Sequence, residues 1–244
     1  MMYREKEVMG YSVFADSLDK IELQDKKQII NTINPHSYIV AKDDEVFKKA
    51  LESSDTLLPD GSGIVLASKI LGDKEKIEKV AGADLHIYLL ELLNSKNGKL
   101  FYMGASQSTL DIIEEKIAKV YPNIRVDSFS PPFKDEFSKE ENQKIIDKIN
   151  SFNPDVLFIG MTAPKQEKWL YQYQDRLNFK IASSIGAVFD FYAGKISRPS
   201  HFWIYIHLEW FFRFMKEPRR LWRRNLISTP LFLLEILKYS VKIK

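Results

Sequence analysis

The sequence predicts an α/β protein, with a mostly parallel, Rossmann-like sheet covered by helices on both faces and a C-terminal helical appendage. Between residues 28 and 185, short β-rich runs alternate with longer helical runs, as in parallel strands joined by crossover helices. The 244 residues are 45% hydrophobic and 28% charged, which is enough apolar material for a sizeable core and excludes disordered or collagen-like classes. After Gly194 the chain becomes basic and aromatic, and its apolar spacing becomes helical.

The predicted strands are short apolar or β-branched runs bounded by turn-forming residues. They cover residues 28–34, 55–58, 99–103, 123–129, 155–160 and 180–185. Helices are predicted where apolar residues recur at three- and four-residue spacing. They cover residues 43–53, 61–71, 84–95, 109–120, 140–151 and 164–177. Pro164 begins the last of these helices, at a position where the missing N–H needs no partner. We therefore expect an α/β domain over residues 1–194.

The predicted appendage, residues 195–244, has a different charge from the rest of the chain. It contains eleven Lys or Arg and three Glu, a balance of +8, so the net charge of +3 leaves 3 − 8 = −5 for residues 1–194. Two helices are predicted, at residues 202–216 and 218–238, with Glu217 and Pro218 at the joint. If one helix continued through Pro218, Arg213, Arg220 and Arg224 would lie within about 20° of one helical line. A solvated basic face is the plainer interpretation of these arginines.

A basic, aromatic segment on an acidic body indicates an anionic surface as partner, either lipid headgroups or nucleic acid. Eight aromatic residues lie between Phe202 and Trp222. The apolar stretches at residues 202–215 and 226–237 are interrupted by charges or proline and fall short of the roughly 20 apolar residues that span a bilayer. We expect the segment to lie on a membrane surface. The charged N-terminus, from Arg4 to Glu7, does not resemble a signal peptide, so a cytoplasmic location is expected.

Residue types and motifs exclude several kinds of chemistry. The chain has no cysteine, which removes disulfides, thiolate metal sites and a cysteine nucleophile. The four histidines are scattered without metal-ligand spacing, and there is no D-x-D pair, G-x-G-x-x-G, P-loop, H-E-x-x-H or G-x-S-x-G motif. We therefore expect chemistry without a metal ion or other cofactor.

Candidate functional residues follow the predicted strands, because ligands of open parallel sheets bind beyond the carboxyl ends of the strands. The strand-end segments are TINP at residues 32–35, PDGSG at 59–63, GAS at 104–106, GMTAPKQE at 160–167 and GAVFD at 186–190. Backbone N–H groups in such loops, together with the dipole of the following helix, favour phosphate. A nucleotide ligand fits this set of loops.

Several of these residues have both a structural and a functional interpretation. Asp60 is either a turn former or a general base next to glycines that let a ligand approach. Thr32 suits a strand, and Asp190 suits a helix cap. Gln166 and Glu167 suit the exposed face of a first helical turn. The residues alone leave these alternatives open.

Seven segments in the same order as in a known family add to this interpretation. They are residues 32–35, 57–72 (LLPDGSGIVLASKILG), 82–85 (GADL), 101–106 (FYMGAS), 160–169 (GMTAPKQEKW), 184–194 (SIGAVFDFYAG) and 208–224 (LEWFFRFMKEPRRLWRR). From about Met9 to about Asn225 the chain resembles the WecG/TagA/CpsF glycosyltransferase family. The resemblance implies an inverting, metal-independent hexosyltransferase. Such enzymes use a UDP-sugar donor and a lipid-diphosphate-linked sugar acceptor at the cytoplasmic face of the membrane.

Some members of this family transfer N-acetylmannosamine to polyprenyl-diphosphate-linked N-acetylglucosamine for teichoic acid, and others use its uronic acid or a different hexose. The resemblance makes Asp60 the candidate base, with Thr32 as its neighbour at the sugar, and Asp190 a contact to the nucleoside. It places Gln166 and Glu167 at the active-site pocket. It also places Arg213, Arg220, Arg223 and Arg224 in a C-terminal appendage that closes over the site and touches the membrane. Lys79 stands where the family usually has arginine, which exchanges a bidentate fork for a point charge.

The complete predicted site has catalytic and substrate-binding members. The catalytic pair is Asp60 and Thr32, and the substrate-binding residues are Asn34, Gly61, Lys79, Gly104, Gln166, Glu167, Asp190, Arg213, Arg220, Arg223 and Arg224. Two other classes remain as alternatives: a non-catalytic UDP-binding module that docks on membranes, and a nucleic-acid binder, which the acidic body disfavours. The aromatic tail helices could also bury against a second copy of the chain.

Overall fold

The computed structural model describes residues 3–72, 77–196 and 209–243. The strands are β1 Glu5–Val8, β2 Tyr11–Phe14, β3 Gln28–Ile33, β4 Thr56–Pro59, β5 Lys99–Gly104, β6 Arg125–Phe129, β7 Val156–Gly160 and β8 Ile181–Ser184. The first eight α-helices are α1 Pro35–Asp43, α2 Glu45–Glu52, α3 Ser62–Ile70, α4 Gly82–Lys96, α5 Gln107–Val120, α6 Lys139–Phe152, α7 Lys165–Tyr173 and α8 Val188–Ala193. The C-terminal helices are α9 Glu209–Lys216, α10 Pro218–Trp222 and α11 Thr229–Ile243, with a π-helical segment, Arg223–Ser228, joining α10 to α11. Two 3-10 turns lie at Leu18–Lys20 and Gln174–Arg176.

The predicted fold class is confirmed. Strands β3 to β8 form one sheet in the order β4-β3-β8-β7-β5-β6, and every neighbouring pair is parallel. Helices α4, α5 and α8 bury Leu89, Ile113 and Phe189 in the core on one face, whereas α6 and α7 bury Ile146 and Leu170 on the other. The predicted strands and helices between residues 28 and 185 are present with ends within two residues, counting the turn at Gln174–Arg176.

Three elements were not predicted. The hairpin of β1 and β2 turns at Met9 and Gly10, whose φ angles are 53° and 86°. Positive φ at both central residues suits a type I′ turn, but Met-Gly lacks the usual Asn-Gly signal. Helix α1 begins at Pro35, directly after its cap Asn34, and α8 is only six residues long. These short elements have little hydrophobic periodicity of their own.

The order of the strands creates a switch point at the carboxyl edge of the sheet. From β5 the chain passes through α5 to β6, whereas from the adjacent β7 it passes through α7 to β8 on the opposite side. A crevice forms where neighbouring connections diverge in this way. Both strands end in glycine, and a Cβ atom at Gly104 would lie 2.3 Å from the carbonyl oxygen of Gly160. The ends of these two strands therefore approach each other too closely for a side chain at Gly104.

Helix α11 packs on the α/β body. Phe232 and Ile236 are buried and share a core cluster with Ile33 and Ile64, and the ring of Phe232 meets that of Tyr38 at 5.2 Å. At the surface, Lys42 Nζ of α1 lies 2.6 Å from a carboxylate oxygen of Glu235. The boundary predicted at residue 194 remains a prediction, since the last helix of the proposed appendage contributes to the core.

We expect Phe232→Ala to lower the free energy of unfolding by about 3–5 kcal/mol, the usual cost of removing a buried phenyl group. Leu233→Ala is the matched control, because Leu233 is the next residue of the same helix and is 42% exposed. Its expected effect is within about 0.5 kcal/mol. Urea unfolding of the two variants checks the packing, and equal effects would contradict it.

The predicted helix at residues 202–216 lies partly outside the described residues, and its second half is α9. Glu217 has φ −133° and ψ 58°, which is not helical, so α9 and α10 are separate helices. The single helical line through Arg213, Arg220 and Arg224, which required a continuous helix, is therefore not formed. In the part of the chain that the structure describes, we find no helix that is long and apolar enough to span a bilayer.

Candidate active site

The ends of β3 and β4 bring Thr32, Asn34, Asp60 and Gly61 together. The Asp60 N–H donates to the carbonyl oxygen of Ile33 at 2.9 Å, so Asp60 lies directly beside the end of β3. Thr32 is the last but one residue of β3, and both Thr32 and Asp60 are half-buried. A carboxylate and a hydroxyl therefore sit on adjacent strand ends, with the first turn of α3 immediately after Asp60.

Gly61 has a conformational reason to be glycine. Its φ is 94°, and it is the N-cap of α3. A Cβ atom built at this position would meet no atom within 4 Å, so the demand comes from the backbone angle rather than from crowding. Among the described residues, the Cβ direction of Gly61 is therefore clear of other atoms, which suits the close approach of a ligand.

The Asn34 side chain caps the N-terminus of helix α1. Its side-chain oxygen accepts hydrogen bonds from the backbone N–H groups of His36 and Ser37, both at 3.0 Å, as the cap of α1. A contact from Asn34 to substrate remains a prediction.

The backbone at Lys79 runs beside the backbone at Asp60. The N–H of Val80, the residue after Lys79, donates at 3.0 Å to the carbonyl oxygen of Pro59, the residue before Asp60.

Gln166 and Glu167 are buried, so the alternative of an exposed helical face is wrong for both. The Gln166 side-chain oxygen accepts from the Met161 N–H at 3.1 Å, and its amide nitrogen donates to Glu167 Oε1 at 2.8 Å. The Gln166 amide also lies within 3.2 Å of the position that a Cβ atom on Gly186 would take. The two side chains therefore lie between the loops that follow β7 and β8.

The environment of Glu167 favours its neutral form. Burial raises the pKa of this carboxyl to about 7, against the opposing effect of its hydrogen bond from Gln166. Among the described residues, its buried Oε2 has no hydrogen-bond partner. Buried polar atoms in folded proteins are nearly always bonded, so an orphaned oxygen at the ligand-binding edge of a sheet calls for an explanation.

Gly104 and Asp190 lie further along the same edge. Gly104 ends β5, four strand spacings from β4, which corresponds to about 19 Å. Asp190 lies in the first turn of α8, whose N-cap is Ala187, so the interpretation of Asp190 as the cap is wrong. Its side chain is half-buried. The predicted residues thus extend along the edge from β4 to β5, as an elongated ligand would require.

Two neighbouring arginines have different surroundings. The positive charge of Arg224 lies close enough to His36 to lower its pKa, in addition to the larger effect of burial. His36 belongs to the first turn of α1, and its Nδ1 lies 2.8 Å from the Ser228 hydroxyl. Arg224 is therefore near the end of β3. Arg223 is exposed, and its guanidinium lies 5.4 Å from the centre of the Trp222 ring. Arg213 and Arg220 lie in α9 and α10.

Three further polar residues at this edge were not predicted. Ser184 ends β8, and its hydroxyl is buried without a partner among the described residues. The Nδ2 atom of Asn225, in the π-helical segment, is also buried without a hydrogen-bond partner among these residues. π-Helical turns are frequent at functional sites. The His36–Ser228 contact joins this segment to α1. Serine in an otherwise apolar strand was a usable signal in the sequence, whereas the positions of Asn225 and His36 depend on how the C-terminal helices pack.

The open, Rossmann-like parallel sheet therefore places a carboxylate, a buried acid and an arginine at the edge where ligands of such sheets bind. The family model described as "Glycosyl transferase WecG/TagA/CpsF family" matches residues 7–244. The chain belongs to this family of glycosyltransferases.

Curated relatives share one name, N-acetylglucosaminyldiphosphoundecaprenol N-acetyl-beta-D-mannosaminyltransferase. The Bacillus spizizenii protein is 32% identical over 217 residues, which are 89% of this chain and 81% of the relative. The Bacillus subtilis protein is 30% identical over 226 residues, 92% of this chain and 85% of the relative. A Staphylococcus aureus protein is 26% identical over 215 residues, 88% of this chain and 82% of the relative.

Proposed function

We propose that this glycosyltransferase moves N-acetylmannosamine, or a related hexose, from a UDP-sugar to polyprenyl-diphosphate-linked N-acetylglucosamine, in teichoic acid or capsule synthesis. The observation that carries the proposal is the position of Asp60, bonded through its N–H to the end of β3 and beside Thr32. The names of the curated relatives support the choice of sugar and acceptor. The site residues and their roles are part of this proposal.

The reaction is an inverting displacement at the anomeric carbon. The acceptor hydroxyl oxygen attacks C1 on the face opposite to the diphosphate, and the bond from C1 to the phosphate oxygen breaks. Asp60 takes the proton of the attacking hydroxyl, and UDP leaves with the bonding electron pair. Thr32 positions the sugar beside the base, and Asp190 holds the nucleoside. The fixed orientation of these groups contributes because it is arranged before reaction.

Negative charge accumulates on the leaving diphosphate, and cationic groups of the protein neutralise it. Arg224 lies near His36 in the first turn of α1, and Lys79 directly precedes Val80, whose N–H donates to the Pro59 carbonyl. Arg213 and Arg220 would complete the cationic set, whereas Arg223, which is exposed and lies over the Trp222 ring, is assigned to the membrane surface. Helix N-termini at the strand ends, such as that of α3 at Gly61, favour anions as well. The inference of metal independence rests on these groups.

Peripheral binding to the cytoplasmic face of the membrane is part of the proposal, with residues 195–244 as a functional appendage. Helix α11 turns Phe232 and Ile236 inward, whereas its other face exposes leucine and valine to solvent. The exposed apolar residues between 209 and 243 include Trp222, Leu226, Ile227, Leu231, Leu234, Leu237 and Val241. An apolar face flanked by arginines suits the interfacial region of an anionic bilayer. A second copy of the chain is the alternative cover for this face.

A screen of UDP-sugars against a short-chain lipid-diphospho-N-acetylglucosamine acceptor tests the function. We expect one added N-acetylhexosamine or related hexose in the product mass, with UDP-N-acetylmannosamine as the best donor. The control omits the acceptor. UDP binding without any product would instead support the non-catalytic module, and retarded migration of single-stranded DNA would support the nucleic-acid binder.

The same assay in excess EDTA tests the assignment of charge neutralisation to protein groups. We expect the initial rate to remain within about twofold of the untreated rate, since no step of the account uses a divalent ion. Addition of Mg²⁺ or Mn²⁺ after dialysis against EDTA is the control. A rate that falls to background in EDTA and returns with the metal would contradict the role given to the arginines.

A further inference from the structure

We propose that Glu167 works as a protonated carboxylic acid and donates a hydrogen bond from Oε2 to an uncharged oxygen of the bound sugar nucleotide. The proposal rests on the proposed function, because it takes the ligand at this edge to be a UDP-sugar. It adds a neutral donor to a site in which a different acidic residue, Asp60, acts as the base.

The two carboxyl oxygens of Glu167 have different surroundings. Glu167 is 5% exposed, and its Oε1 accepts the hydrogen bond from Gln166, which itself is fixed by the Met161 N–H. This chain of bonds holds the carboxyl group in one orientation. Oε2 is buried and, among the described residues, unpartnered. An unbonded buried polar atom is costly, so a bound ligand atom or water would stabilise it.

A second unpartnered group lies on the same side of the sheet. Ser184 is two residues after Ala182 in β8, so their side chains share one face. Ala182 packs in the cluster that contains Leu170 of α7, which identifies this face as the one that α7 covers. The buried Ser184 hydroxyl has no partner in the described part of the chain. Two buried polar groups on the same face of the sheet are therefore without a protein partner in the described part of the chain, and a polar ligand would supply partners for them.

In the described ranges, no charged side chain on the elements packed around Glu167 forms an ion pair with its carboxyl group. Strands β7 and β8 consist of VLFIG and IASS, without an ionisable carboxyl or amine. From α2, Asp44 pairs with Lys168 of α7 at 2.8 Å near the surface. The Lys165 ammonium lies 3.9 Å from the centre of the Phe137 ring, and α6 presents the Asn142 amide to Trp169. Burial therefore dominates, and a proton on the carboxyl removes the cost of an isolated buried charge.

The protonated form also suits the ligand. An ionised Glu167 would repel a diphosphate at the same sheet edge, whereas the neutral acid donates to a hydroxyl or acetamido oxygen. Gln166 is held by the Met161 N–H and lies against Gly186, so its hydrogen bond to Glu167 orients the carboxyl group before the ligand binds. A residue of this kind contributes to recognition of the sugar.

Glu167→Gln provides the central test, because glutamine keeps a donor of similar shape and cannot ionise. At pH 6 we expect kcat/KM of this variant within about threefold of wild type. Above pH 7 the wild-type value should fall about tenfold per pH unit as one proton is lost, and the glutamine variant should lack this fall. Glu167→Ala should lose at least tenfold at pH 6. Glu91→Gln, an exposed carboxyl on α4, is the control with an unchanged profile.

Three results would overturn the proposal: an inactive but folded Glu167→Gln, an identical alkaline limb in wild type and this variant, or full activity of Glu167→Ala. A wild type that makes no product would reject the proposed function alone. Calorimetric binding of UDP-sugar at pH 6 and pH 8.5 then decides the role of Glu167. Weaker binding by wild type but not by Glu167→Gln at the higher pH supports the proposal, and equal pH dependence or no binding overturns it.

Urea unfolding gives a readout of the proton that is independent of any ligand. The folded-state pKa of Glu167 is above the ordinary carboxyl value, so the folded protein binds the proton more strongly than the unfolded chain. Its contribution to stability is therefore present at low pH and decreases as the pH rises from about 4.5 to about 7. Relative to Glu167→Gln, wild type should lose stability over this interval. A constant difference would contradict a buried protonated acid.

Discussion

Asp60→Asn is expected to lower kcat/KM for sugar transfer by about 10²–10⁴-fold, because asparagine cannot accept the proton of the attacking hydroxyl. UDP-sugar binding should change by no more than a few-fold, since the amide keeps the shape of the carboxyl. The backbone bond from the Asp60 N–H to Ile33 does not involve the side chain. Folding should therefore be preserved, which circular dichroism and urea unfolding would check.

Asp175→Asn is the matched control for this result. Asp175 is an exposed aspartate in the 3-10 turn after α7, so the same chemical change there should leave transfer unaffected. Measuring product formation by mass and donor binding by calorimetry separates chemistry from binding. Near-normal turnover in Asp60→Asn would remove Asp60 from the mechanism and return it to the role of a turn former.

Arg224→Gln should lower kcat/KM by about 10²–10³-fold, the size of effect found when one preorganised donor to developing charge is removed. Its position supports this expectation, because its charge acts on His36 in the first turn of α1, next to the end of β3. The loss should appear with detergent-solubilised acceptor as well as on vesicles, because it concerns the leaving diphosphate rather than membrane attachment.

Arg223→Gln provides a control with the same charge change one residue earlier. Arg223 is exposed and stacks on Trp222, so it is oriented differently from Arg224. We expect turnover on soluble acceptor within about threefold of wild type. Binding to anionic vesicles should weaken about fivefold, as for the loss of one basic residue near a charged surface. The reverse pattern, with Arg223 essential for soluble turnover and Arg224 dispensable, would contradict the assignment.

The alternation of strands and helices was predictable because each parallel strand is a short apolar run closed by a turn-forming residue. DVLFIG before Met161 and KLFYMG before Ala105 are such runs, and both become buried central strands. Helix α1 was missed because PHSYIVAKD has little amphipathic pattern, and its start depends on the Asn34 cap. The inward packing of Phe232 and Ile236 was also missed, since an apolar face alone does not show whether protein or lipid covers it.

At the candidate site, the sequence indicated which loops lie at the carboxyl edge, because parallel strands must end there together. The proximity of Asp60 to the end of β3 follows from the pairing of β3 with β4, which the alternating pattern implied. The burial of Glu167 was not predictable, because two polar residues in a first helical turn usually face solvent. The predicted alignment of Arg213, Arg220 and Arg224 along one helix was wrong, because Glu217 is not helical and separates α9 from α10.

A crystal structure of the protein with UDP and a lipid-diphospho-N-acetylglucosamine analogue, with residues 195–244 intact, tests whether Asp60 is the catalytic base. The distance to measure joins the Asp60 carboxylate to the acceptor hydroxyl that would attack C1. We expect about 2.6–3.2 Å, or one bridging water, with Arg224 against the diphosphate. A carboxylate remote from both the acceptor hydroxyl and the nucleotide in such a complex would contradict it.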